Sequence, residues 1–420
     1  MQYSASLRYL NSFLNLERII ASSKNRRWNL DRMRFLLTLF GHPEKAFYSV
    51  VIAGTKGKGS TGFFLESMLK ESGLRTGFYS SPHLTDPRER IRLNGKIISK
   101  SIWTHGLGEI HSVLNPSKIP GSLGAFTYFE ILTLLAVLVF RREKIRIGIF
   151  EVGMGGRLDA TRLVNAELAV ITPIALDHQA FLGNTVAKIA HEKAAVIGKG
   201  ATVVMAPQPR EALWEIKKRI QQQKARAVKF QPLGAEMSVG LLGDFQRINA
   251  AVALRAAQAL KEKFQFRLTA KSILKGLQAK NWPGRMELVG RAPAVLIDGA
   301  HNPVSIEALV RNLKRVYSQK PRVVIFAVSR DKDSKQMLQI LSRYFKSIVL
   351  TRFEGPRSQD LSLLSAQATP YFWQIFLSQN SLEALRLAKK LIPPRGLIVA
   401  TGSFYLAGEI SRFQKGRKNG

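Results

Sequence analysis

Cysteine is absent from the chain, which excludes disulfides and thiolate metal sites and fits a reducing compartment. Acidic residues are scarce: 29 Asp plus Glu stand against 64 Lys plus Arg, a net charge of +35. Long apolar runs are missing too. The longest, Ile131 to Phe140 with Thr133 inside it, has about half the length a bilayer span needs and reads as a buried helix. The opening Met1-Gln-Tyr-Ser-Ala-Ser-Leu-Arg8 has no apolar core of signal-peptide type. No internal repeat, low-complexity segment, zinc-finger spacing or aromatic–basic RNA-binding signature is present. These absences predict a cytoplasmic protein with no membrane partner and no specific nucleic-acid partner.

What is present describes a globular protein, 45% hydrophobic and 22% charged. At 420 residues it is too long for one ordinary core, so two domains are expected. A positive excess of this size attracts polyanions. The basic residues are spread along the chain, apart from the tail Arg412-Phe-Gln-Lys-Gly-Arg-Lys-Asn-Gly420. That spread favours an enzyme handling ATP and polycarboxylates over an RNA-associated NTPase, which is the rival reading.

Strand and helix patterns alternate. Strands are expected at 48–53, 145–151, 168–172 and 202–206, with helices near 7–20, 129–142 and 185–197. After Asn281-Trp-Pro-Gly284 the rhythm restarts. Strands at 294–297, 323–328, 347–351 and 397–400 then enclose helices at 305–316 and 381–391. Such alternation implies parallel sheets with covered faces. The Trp-Pro-Gly turn places the boundary near residue 288, giving domains 1–288 and 289–420.

Val50 to Ser60 read as an apolar strand emptying into Gly54-Thr-Lys-Gly-Lys-Gly-Ser60 and then a helix. Glycines let backbone N–H groups turn inward, and the helix N-terminus favours an anion. Lys58 is then placed for terminal phosphates and Ser60 for Mg²⁺, although Gly59 between them departs from the usual Walker spacing. Four further segments carry candidate chemistry. Glu151 ends a strand and enters Gly153-Met-Gly-Gly-Arg-Leu-Asp159, a position where open α/β sheets hold ligands. Asp177-His178 and Asp298-Gly-Ala-His301 each deliver an acid and an imidazole at a strand end. His178 is an atypical Mg²⁺ ligand, because magnesium prefers oxygen. Gln246 and Asn249 open an alanine-rich helix, where an amide either caps the helix or reads an adenine edge. Lys193, in His191-Glu-Lys193, reads from composition alone as a solvated or salt-bridged lysine.

Together these segments resemble the folylpolyglutamate synthase/dihydrofolate synthase branch of the Mur ligase family. Ser80-Ser-Pro-His-Leu84, Arg88-Glu-Arg-Ile91 and Thr127-Tyr-Phe-Glu130 add to the likeness, as do Arg157-Leu-Asp-Ala-Thr161, Pro283-Gly-Arg285, Asp331-Lys-Asp333 and Thr401-Gly-Ser403. The resemblance implies an α/β fold: an N-terminal Mur-ligase-type P-loop ATP-binding domain and a smaller C-terminal Rossmann-like domain. It implies a monomer serving folate biosynthesis and one-carbon metabolism. Its reaction joins L-glutamate to dihydropteroate, or to the γ-carboxylate of reduced folates, using ATP and an acyl phosphate.

The resemblance also carries residue roles. Gly54, Thr55, Gly57, Lys58, Gly59 and Ser60 would cradle ATP with Asn249, Arg285, Asp298 and His301. Ser60, Ser81 and Glu151 would hold one Mg²⁺ and His178 a second, while Lys193 matches a lysine that becomes carbamylated. Lys58, Glu151, His178 and Lys193 are the expected catalytic group. Thr127, Phe129 and Asp159 resemble pterin-side contacts. Three positions depart from the pattern: Lys56 and Arg162 each stand where an asparagine is usual, and Phe245 stands where a histidine is usual.

Overall fold

The computed structural model describes residues 1–17, 29–114, 119–280, 282–318 and 321–416. Two sheets organise it. The first is built from β1 (Tyr48–Ala53), β2 (Thr76–Tyr79), β3 (Ile91–Leu93), β4 (Lys96–Ile97), β5 (Ile147–Glu151), β6 (Leu168–Ile171), β7 (Thr202–Met205) and β8 (Arg226–Val228). Their spatial order is β4-β3-β2-β5-β1-β6-β7-β8. The run from β2 to β8 is parallel, while β3 and β4 add an antiparallel edge. The second sheet contains β9 (Glu287–Arg291), β10 (Ala294–Ile297), β11 (Arg322–Phe326), β12 (Ser347–Leu350), β13 (Gln374–Leu377) and β14 (Leu397–Thr401). Its order is β13-β12-β11-β14-β10-β9, parallel except for β9.

Continuous burial explains why the central strands are unbroken apolar runs: β5, β6, β10 and β14 are buried at every residue. On one face of the first sheet, helix Tyr128–Arg142 is buried from Ile131 through Phe140, as its composition predicts. On the other face, helix Lys58–Glu71 packs against helix Asp244–Phe264, whose Ala250, Ala253, Ala256 and Ala257 are buried. Small side chains let those two helices approach closely.

The expected elements are found with shifted ends. The first helix stops at Asn11, well short of residue 20, and positions 18–20 lie outside the described residues, as does Asn281. The helix expected over 185–197 covers Val186–Ala194, and the strand expected over 323–328 covers Arg322–Phe326. The division expected at 288/289 falls inside β9, which pairs with β10. Hydrogen bonding therefore places Glu287 with the second sheet.

Candidate active site

Parallel sheets put the ends of their strands on one rim, and many of the candidate residues follow a strand end, whereas Thr127, Phe129, Lys193 and Asn249 come from helices or their caps and Arg285 precedes β9. Gly54 follows β1, Ser80 and Ser81 follow β2, and Glu151 closes β5. Asp177 and His178 follow β6, Asp298 follows β10, and Ser403 follows β14. Ser80, Ser81, Glu151, Trp282, Arg285 and Phe404 line one pocket that takes walls from both halves.

The glycine loop turns as its composition requires. Gly54 has φ of 149°, and a Cβ there would sit 1.9 Å from Thr172 Oγ1. Gly57 has φ of 85° and caps helix Lys58–Glu71; its Cβ would lie 2.2 Å from Asn249 Oδ1. Asn249 thus abuts the phosphate loop, and its amide donates to Gln246 Oε1 at 2.9 Å. Thr55 is fixed from the side, its hydroxyl donating to Ala175 O and accepting from Ala175 N–H. Lys58 Nζ reaches back to Gly54 O at 3.3 Å, and Ser60 is buried at the helix start.

Lys193 corrects the expectation of a solvated or salt-bridged lysine. It is 4% exposed, and its Nζ donates to the same carbonyl, Gly54 O, at 2.9 Å. Burial, reinforced by repulsion from Lys58, lowers its pKa to about 7. An amine near neutrality can act as a nucleophile, whereas a solvated ammonium cannot.

Glu151 is 5% exposed, accepts from Ser81 N–H at 3.4 Å, and lies 3.2 Å from where a Gly59 Cβ would stand. Burial raises its pKa, while Lys58 and Arg285 pull it down. Among the described residues no three His, Cys, Asp or Glu side chains form a preformed metal cage. One buried carboxylate with hydroxyls nearby is nevertheless a donor set suited to Mg²⁺ that arrives on a nucleotide, since that ion takes one or two carboxylates plus phosphate oxygens and waters. The site fits such an ion.

His178 is exposed, with φ of 49°, and its N–H donates to Asp177 Oδ1 at 2.9 Å. Asp177 meets Lys332 of the second half at 3.6 Å, so this pair spans the cleft. Asp298 is buried; Oδ1 accepts from Ala300 N–H at 2.8 Å and Oδ2 from Met286 N–H at 2.9 Å. His301 Nδ1 lies 2.8 Å from Gly299 O, so Nδ1 carries the proton and Nε2 is left as an acceptor. Arg285 lies over the Phe404 ring at 4.6 Å and attracts both Glu151 and Asp298.

Of the three residues likened to pterin-side contacts, Phe129 and Asp159 both lie against Gly153, and Thr127 and Asp159 are already engaged. Thr127 caps helix Tyr128–Arg142 in a capping box with Glu130. Asp159 is buried and accepts from Thr161 N–H, Thr161 Oγ1 and Met154 N–H. Phe129 packs where a Gly153 Cβ would stand and against Tyr79, 5.8 Å between ring centroids. Arg162 donates to Arg157 O at 2.8 Å, and Phe245 is 38% exposed.

The motifs leave three features unread. Trp282 is buried between Phe63 and Phe78, with Arg92 over its ring at 5.4 Å. Arg90, 1% exposed on its side chain, forms a two-pronged pair with Glu17 and donates to His83 Nδ1 at 2.9 Å. Glu17 O in turn accepts from Arg357 Nη1 at 2.7 Å, tying the amino-terminal segment to the second half. The sequence offered the aromatic beside the Pro-Gly turn, and Arg90 and His83 inside quoted motifs, but nothing that pairs them with Glu17.

Comparison with known proteins agrees with this geometry. Residues 52–231 match the Mur ligase middle domain and residues 284–404 the Mur ligase glutamate ligase domain. The dihydrofolate synthase/folylpolyglutamate synthase of Bacillus subtilis is 32% identical, covering 91% of this chain and 94% of that protein. Its Mycobacterium tuberculosis counterpart is 32% identical over 94% and 93%. The M. tuberculosis folylpolyglutamate synthase complexed with ADP superposes with a TM-score of 0.86 at 30% identity, covering 98% of this chain and 99% of that one. E. coli FolC in complex with DHPP and ADP gives 0.84 at 27% identity, over 100% and 99%. With this architecture and this coverage, the chain belongs to the dihydrofolate synthase/folylpolyglutamate synthase family of Mur ligases.

Proposed function

We propose that the chain is an ATP-dependent amide ligase that adds L-glutamate to dihydropteroate and to the γ-carboxylates of reduced folates. The observation that carries the reading is one pocket in which Gly59 of the phosphate loop, Ser81 and Glu151 meet Trp282, Arg285 and Phe404, with Lys58 and Arg285 both acting on the Glu151 carboxylate. The relatives bound to ADP and to DHPP support the same substrates.

A carboxylate is a poor acylating agent, so its oxygen first attacks the γ-phosphorus and ADP leaves. The glutamate amine then attacks the acyl carbon, phosphate departs, and the amide nitrogen loses a proton. The protein's contribution is positioning and charge neutralisation. In this reading the loop N–H groups and Lys58 hold the phosphates. Asn249 braces the loop, and Asp298 and His301 Nε2 accept from ribose hydroxyls. Glu151, Ser60 and Ser81 would hold one Mg²⁺, and His178 with a carbamylated Lys193 a second; bound there, Mg²⁺ would offset the charge on the transferring phosphoryl. Thr127, Phe129 and Asp159 would enclose the pterin.

Labelled glutamate should enter both dihydropteroate and tetrahydrofolate in separate assays. Incorporation into only one assigns a single activity. Incorporation into neither, with ATP and Mg²⁺ present, overturns the reading.

A further inference from the structure

Lys56 stands in the phosphate loop two residues before Lys58, and nothing above gives it a role. Its Nζ is buried from solvent and makes no hydrogen bond or ion pair among the described residues. Its backbone N–H is anchored to Pro173 O at 3.3 Å, so the loop holds the residue in place. An unpartnered buried ammonium is among the most costly features a fold can keep, and desolvation depresses its pKa to about 8. The one carboxylate acting on it, Asp177, is already held by Lys332 at 3.6 Å and by His178 N–H at 2.9 Å.

Direction completes the argument. The loop follows β1, which lies between β5 and β6. Lys58 acts on Glu151, on the β5 side. Lys56 feels the charge of Asp177, which follows β6 and meets Lys332 of the second half. The first phosphates belong at the N–H groups that open the helix. A terminal phosphate extends past those N–H groups, toward the side chains that flank the loop.

We propose that Lys56 is a phosphate-binding residue that contacts the γ-phosphoryl group and so makes the site discriminate ATP from ADP. This inference rests on the ligase reading above. It assigns to this chain a second loop cation, working from the side opposite Lys58.

Calorimetric titration of the full chain with ADP and with a non-hydrolysable ATP analogue, with Mg²⁺ and again with EDTA, tests it. Lys56→Gln should weaken the analogue by about ten-fold or more, the loss of one charge-assisted hydrogen bond, and leave ADP within about two-fold. Lys56→Arg should keep most of the preference. Lys56→Gln should also melt no lower than the wild type, because it removes a buried unpaired charge. Equal weakening of both nucleotides, or weakening of neither, overturns the inference and leaves the ligase reading standing. Wild-type protein that binds neither nucleotide overturns the ligase reading, and the inference with it.

Discussion

Glu151 and Lys193 are both held away from their usual ionisation, and each gives a measurement. Burial pushes Glu151 toward its neutral form against the pull of Lys58 and Arg285. Glu151→Gln should therefore fold normally, lose most of its turnover, and recover part of it with excess Mg²⁺; near-normal rates at low Mg²⁺ would refute the assignment. Lys58→Ala should abolish glutamate addition, checked in the same assay. Lys193 gives a stability signature independent of catalysis. Its folded pKa is about 7 against an ordinary 10.5, so between those values the unfolded chain holds more protons and stability rises with pH. In CO₂-free buffer, Lys193→Met should lack that part of the rise in urea unfolding between pH 7 and 9. Glu151 was legible in the sequence because it closes an apolar run before glycines. The setting of Lys193 was not, since its acceptor, Gly54 O, lies 139 positions away.

Turns and caps carry the next scale. Gly57 combines a left-handed φ with a Cβ position 2.2 Å from Asn249 Oδ1, so Gly57→Ala suffers both backbone strain and a clash. It should destabilise by about 1–3 kcal/mol and weaken ADP binding. Adding Asn249→Ala should recover only the clash component, as thermal melts of the single and double variants would show; full recovery would mean the φ requirement is wrong. Thr127→Ala should cost about 1 kcal/mol as a lost helix cap, separately from any change in pterin affinity. Strands β1, β5, β6, β10, β11 and β14 and the long buried helix were readable because burial on both faces favours apolar runs, whereas β2, equally buried but written Thr-Gly-Phe-Tyr, was not. Edge strands β8 and β13 were not: both are largely solvent-facing and lack that signature. Asp159 was readable as an acid in the glycine-rich turn after β5, but its capping bonds come from a local turn that strand–helix rhythm does not reveal.

Across the whole molecule, charge is the dominant variable. If the +35 excess serves substrates, affinity should rise as the γ-linked tail gains glutamates, and salt should weaken long tails more than short ones. Screening acts over roughly ten ångströms at 0.1 M salt. Affinity that ignores both tail length and salt would detach the charge from catalysis; a steep salt slope for duplex binding would attach it to nucleic acid. The two-domain plan was legible from the restart of the strand rhythm after Trp282-Pro-Gly284. The ties across the cleft, Asp177 to Lys332 and Glu17 to Arg357, were not, because each joins residues more than 150 positions apart.

One consequence follows from a candidate site drawn largely from the ends of the strands of two mostly parallel sheets. The opposite rim, where strands begin, is free for instrumentation. Lys144, just before β5, and Arg395, just before β14, are both exposed and lie on different sheets. In a chain without a native thiol, Lys144→Cys with Arg395→Cys gives two unique handles for a fluorophore pair. Their energy transfer would read the separation of the two sheets in solution, turnover by turnover, without a reporter ever entering the pocket.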